Sequence, residues 1–211
     1  MDNNALKARS YGFIRTILGK DFITPEEIAE TYGLSYSGEL LRHLAETIPS
    51  EKVLRWCGNN DFMLVAGPPN PLSLLEVRNI HPKLFYSEAG GWYIEQEEKF
   101  SCKDKVVSGW LMLRKTPVPG STSKTWNEQR GLLTKEEYVP NTPEMVWGIT
   151  RYKEVSNAYL LSNIYARTSS VNSDNNHVII GGFDSGGLKI SNRWDDGRRN
   201  RVGVSSARKK D

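Results

Sequence analysis

The last fifty residues constrain this chain most. Four short β-compatible runs, Ile164–Val171, His177–Phe183, Gly187–Trp194 and Val202–Lys209, alternate with clusters that favour turns. Those clusters are Asn172-Ser-Asp-Asn-Asn176, Asp184-Ser-Gly-Gly187 and Asp195-Asp-Gly-Arg-Arg-Asn200. Asn, Asp and Ser bond nearby backbone and Gly accepts positive φ, so each cluster can reverse the chain. The spacing predicts an antiparallel set of strands at the end of the fold. No internal repeat of fixed period is visible.

Upstream, the texture is mixed. Thr24-Pro25-Glu26-Glu27 is a capping box with proline at the first helical position, and Gly33 supplies a left-handed stop. A second helix is expected near Gly38–Thr47, ended by Pro49. Phe62–Ala66 reads as a buried strand, and Ser73-Leu-Leu-Glu76 as another capping box. Gly91–Ile94 and Gly109–Arg114 read as strands, Thr116–Lys124 as a loop. Thr142-Pro143 caps a helix whose Met145, Ile149 and Tyr152 share one face. The whole predicts an α+β chain, with a helical region over 1–60 and a main domain over 61–211.

Composition narrows the class. The chain has 211 residues, 38% hydrophobic and 25% charged, with six Trp and nine Tyr, which suits a packed core. No apolar run approaches the roughly 18–20 residues that span a bilayer, so no membrane association is expected. The start, Met1-Asp-Asn-Asn4, leads into a charged amphipathic segment unlike a signal peptide, so a cytoplasmic protein is expected. Cys57 and Cys102 form neither a disulfide framework nor a metal spacing.

Candidate chemistry is sparse. Gly120-Ser-Thr-Ser-Lys124-Thr125 resembles the end of a phosphate-binding loop, but Val118 and Ser123 stand where that motif needs glycine. His43, His81 and His177 lie far apart, with no carboxylate or cysteine at metal-ligand spacing. Adjacent carboxylates on a strand point to opposite faces, so Asp195 and Asp196 are read as ion-paired with nearby arginines rather than as a calcium site. No nucleophile–base constellation is visible, and neither catalysis nor a cofactor is expected. Arg193, Arg198, Arg199, Arg201, Arg208, Lys209 and Lys210 make the tail basic, partly balanced by Asp195, Asp196 and Asp211. Only Trp194 interleaves them, so nucleic acid is a minor partner class.

The order Ile179-Ile-Gly-Gly-Phe183, Ser191-Asn-Arg-Trp194, Arg198, Asn200, Val202-Gly-Val204 and Ala207-Arg208 carries a resemblance. It resembles the close of C-type lectin folds of the formylglycine-generating-enzyme-like (sulfatase-modifying factor) branch. Val139-Pro-Asn-Thr142-Pro-Glu144-Met-Val-Trp147 is similar to that branch's Leu-Pro-Thr-x-x-Glu-Trp helix start. The matches span about a third of the chain. The branch's enzymes use cysteines near the C-terminus, and this chain has none after Cys102. What the resemblance implies is the fold's other use, a rigid display of a changeable surface, as in the variable target proteins of diversity-generating retroelements.

Period-two alternation puts Leu188, Ile190, Asn192 and Trp194 on one side and Lys189, Ser191 and Arg193 on the other. The apolar set should face the core, with Asn192 at its rim. The exposed set, the turn residue Ser185, and Arg199, Asn200 and Arg201 make the expected surface for a protein or other macromolecular ligand. Trp147, Trp194, Asp195, Asp196, Arg198 and Gly203 are read as scaffold, with Trp194 an aromatic plug and Asp195–Arg198 an ion-paired turn. The alternative is a DNA-associated or regulatory protein acting through the N-terminal helix pair.

Overall fold

A computed structural model describes residues 3–87 and 90–209; Lys210 and Asp211 of the basic tail fall outside the described residues. The chain is α+β. Its first half runs α1 (Asn3–Leu18), β1 (Phe22–Ile23), α2 (Pro25–Tyr32), α3 (Gly38–Glu46), α4 (Glu51–Asn59), β2 (Phe62–Ala66), α5 (Leu74–Ile80) and α6 (Phe100–Lys103). There follow β3 (Trp110–Arg114), α7 (Trp126–Arg130), β4 (Glu137–Tyr138), α8 (Thr142–Ser156), β5 (Tyr165–Val171), β6 (His177–Asp184), β7 (Gly187–Asn192), β8 (Val202–Val204) and β9 (Ala207–Arg208).

The capping chemistry places the helices as read. The Thr24–Glu27 and Ser73–Glu76 boxes both close, and Gly33 ends α2 at φ 64°. At α8 the cap is Asn141, one residue before Thr142: its side chain accepts the Glu144 amide while Glu144 reaches back. The Gly91–Ile94 segment is a 3-10 turn over Trp92–Ile94, not a strand. It is too short to pair, and Trp92 is spent bracing β7 by donating Nε1–H to the Ile190 carbonyl at 2.9 Å.

Two sheets carry the fold, ordered β1-β2-β3-β9-β4 and β7-β6-β5-β8. Helix α8 packs on strands of both, and every residue of Thr142–Tyr152 except Glu144 is buried. Trp147 is fully buried there and donates Nε1–H to the Ala66 carbonyl at 2.9 Å, tying α8 to β2. Arg151, also fully buried, lies 3.4 Å from the Tyr32 ring centroid and 4.5 Å from that of Trp147.

β1 pairs in parallel with β2, and one apolar cluster runs from Ile14 to Ala207, so residues of both the 1–60 and the 61–211 regions contribute to it. One expectation is corrected here. The final run is not one antiparallel strand. It splits at Ser205-Ser206: β8 joins β5 in parallel, while β9 crosses to the other sheet between β3 and β4. Among the described residues, no helix is long and apolar enough to cross a membrane.

Candidate functional site

The site is built on the outer face of the second sheet. Register places Lys189, Gly181, Tyr165 and Val202 in one row, and Ser191, Ile179, Arg167 and Val204 in the next. Leu188 and Ile190 turn to the core, as alternation requires, leaving Lys189 and Ser191 half-exposed on the outer face. Opposite Lys189, Gly181 and the next residue, Gly182, take φ 150° and 56° at an irregularity in β6. A Cβ on Gly182 would stand 2.7 Å from the Tyr165 hydroxyl, so the glycine lets that ring lie flat across the strand.

The segment from Arg193 to Arg201 then folds back over this face. Backbone bonds anchor it: Trp126 N donates to Asp195 O at 2.8 Å, Ser123 N to Arg199 O at 2.9 Å, and Tyr165 N to Arg201 O at 2.8 Å. Beneath it lies Arg167, wholly buried. Its guanidinium donates to the Gln129 side chain (2.7 Å) and to the carbonyls of Trp194 (2.9 Å), Gly197 (3.1 Å) and Lys124 (3.3 Å). Burial pushes its pKa down, while the charge of Asp195 works the other way. Arg167 has no sequence signature, since one arginine in a β-compatible run reads as an exposed position.

Between the loop and the sheet opens a cleft of about 630 Å³. Tyr165, Ile179 and Val202 line it together with Asn192, Arg193, Trp194, Arg199, Asn200 and Arg201. Five of the eight residues expected to bind ligand therefore converge. The other three do not line it. Ser185 sits exposed in the turn at the far end of β7, Lys189 pairs with Asp184 (3.7 Å) and Tyr86, and Ser191 accepts from Arg193 (3.2 Å).

The scaffold residues divide. Gly203 is required, because a Cβ there would meet Pro117 Cβ and Ser121 Oγ, each at 2.5 Å. Trp147 is core, as described. Trp194 is not a plug: β7 ends at Asn192, alternation ends with it, and the indole is 78% exposed at the mouth of the cleft. The Asp195–Arg198 ion-paired turn is also corrected. Asp195 binds His177 instead, through Nδ1 at 2.7 Å and the backbone amide at 3.1 Å. Arg198 pairs with Glu128 at 2.7 Å, and Asp196 is exposed.

His177, which has no carboxylate at metal-ligand spacing in the sequence, thus gains a carboxylate partner from the fold. Its ring also stacks on Trp126 with centroids 3.7 Å apart. Chain reversal brings the pair together across eighteen residues, which local spacing does not reveal. This buttress faces a second cavity, about 620 Å³, which Trp126, Arg130, Tyr138, Ser169 and His177 help to line.

Glu128 links the loop to α7. Its carboxylate accepts the Thr125 amide and hydroxyl as well as the Arg198 guanidinium, and these bonds lower its pKa to about 2. A lowered carboxylate stabilises above its unfolded pKa and loses that effect as pH falls through the folded one. The protection factors of the 194–201 amides, their exchange taken relative to the intrinsic rate at each pH, are therefore expected to fall between about pH 4.5 and 2. Glu128→Gln should show fast exchange already at neutral pH; unchanged protection in that variant would refute the link.

The N-terminal pair offers no comparable surface. On α3 the exposed side chains are Glu39, Arg42, His43 and Glu46, more acidic than basic, while Leu44 is buried and its carbonyl accepts from Trp110 Nε1 at 2.8 Å. A helix held by its inner face and acidic outside is poorly suited to phosphate. No known family, characterised protein or solved structure matches the chain.

Proposed function

We propose that this chain is a non-catalytic display protein that binds a macromolecular ligand in the cleft beneath the Arg193–Arg201 loop. One observation carries the reading: a sizeable cleft is lined by Arg193, Arg199, Asn200 and Arg201, which strand alternation and turn chemistry single out as exposed, while their backbone is held from below. Preorganisation of this kind lowers the ordering cost of binding. A C-type-lectin-like architecture suits the arrangement, with the C-terminal strand β9 returning to the sheet that holds β3. Retroelement diversification of the tail is part of the same proposal. A reverse-transcriptase gene beside a near-copy of the tail-coding DNA would support it.

The test is separability of surface and scaffold. Exposed positions free of structural bonds change stability by about 0.5 kcal/mol or less. Among the described residues the side chains of Arg199 and Asn200 meet that description, and that of Arg201 has one bond, from Nε to the Asn163 carbonyl at 3.0 Å. The triple variant Arg199→Ala, Asn200→Ala, Arg201→Ala is expected to melt within about 2–3 °C of the parent. A drop of about 10 °C would make the surface structural and end the proposal.

A further inference from the structure

We infer that the cleft takes the carboxylates of an acidic polypeptide segment that also carries an aromatic side chain; this rests on the display reading above. The loop sorts its charges. Arg198 is matched to Glu128 and does not line the cleft, and Asp195 is turned onto His177. The three arginines that do line it, Arg193, Arg199 and Arg201, make no ion pair among the described residues. Arg193 donates only to the Ser191 hydroxyl (3.2 Å) and the Asn192 carbonyl (2.7 Å), and Arg201 only to Asn163. Each keeps donors of its planar fork for a ligand, and that fork matches a carboxylate bidentately.

Two further features select the class. Trp194, largely exposed, offers a broad apolar face beside these cations, and Tyr165 continues it on the floor. Arg167 lies beneath, so a buried positive charge adds to the potential of the cleft. Nucleic acid fits less well. A phosphate chain needs an extended cationic track, whereas this loop carries Asp196 and is tied to Glu128. A compact site with three unpaired forks and one aromatic shelf instead suits a short acidic loop.

The experiment uses the full chain and fluorescence anisotropy of labelled twelve-residue peptides. An alternating Glu–Tyr peptide is the probe, with an alternating Lys–Tyr peptide and an oligothymidine of similar length beside it. The Glu–Tyr peptide should bind tightest and weaken several-fold as salt rises from about 0.05 to 0.3 M, as exposed charge pairs are screened. Arg193→Ala, Arg199→Ala, Arg201→Ala together should cost about thirty-fold or more, at roughly three-fold for each exposed charge pair lost. Trp194→Ala should cost roughly two- to ten-fold, the worth of one aromatic contact.

Failure of the Glu–Tyr peptide to bind, equal binding of the Lys–Tyr peptide, or loss-free binding by a folded arginine variant would each overturn the inference. Tighter binding of oligothymidine would overturn it too. If that binding is itself lost in the arginine variant, the display reading stands and only the ligand class falls. Unfolding of the variants would instead sink the display reading.

Discussion

Arg167→Met is expected to lower the melting temperature by roughly 6–12 °C and to release the Arg193–Arg201 loop. The guanidinium joins four elements: β5 on which it sits, the loop end at Lys124, α7 through Gln129, and the turn through Trp194 and Gly197. Bonds from a charged donor are worth about 1.5–3 kcal/mol each, and four are lost together. Against this, methionine removes the cost of keeping a cation out of water, several kcal/mol. The balance is a loss of about 3 kcal/mol, which for a chain of this size gives the stated shift. The carbonyls of Trp194 and Gly197 can rehydrate only if the loop lifts, so exchange in the loop should rise more than exchange in β6. Arg167→Lys is expected to fail as a rescue, because one ammonium cannot reach both Gln129 and the turn. A lysine variant with parental melting and loop protection would refute the role.

How far such a role can be read from sequence depends on whether its signal is local. The capping boxes at Thr24 and Ser73, the stop at Gly33 and the alternation from Leu188 to Ile190 are local, and the structure reproduces each. The turn clusters near Asn172, Asp184 and Asp195 also fall between strands. What fails is whatever depends on partners distant in sequence. Strand direction is one case: β8 is as β-compatible parallel to β5 as it would be antiparallel, and only the returning loop decides. Charge pairing is another. Asp195 has Arg198 three residues away, yet the fold offers it His177, and it gives Arg198 to Glu128, seventy residues distant. Adjacent opposite charges thus mislead where a turn points them apart.

Trp147 and Trp194 make the sharpest comparison, and their alanine variants should differ more than any other pair of like substitutions. Trp147 stands on α8 between the two sheets with no exposure, and its indole N–H is spent on the Ala66 carbonyl. Truncation there leaves a cavity that packed neighbours on β2 and β3 cannot fill, at about 3–5 kcal/mol, plus roughly 1 kcal/mol for the orphaned carbonyl. A domain holds only about 5–15 kcal/mol in total, so Trp147→Ala is expected to be folded marginally or not at all. The same change removes one of the two rings packed on Arg151, leaving that buried cation less shielded. Trp194 differs in every term. Its ring is 78% exposed and β7 has ended two residues earlier, so Trp194→Ala should shift stability by no more than about 0.5 kcal/mol. Its backbone carbonyl, which Arg167 holds, survives the substitution. Urea titrations of both variants decide the matter. Equal midpoints would mean that the Trp194 indole packs on the fold after all, and that the cleft has no aromatic shelf to offer a ligand.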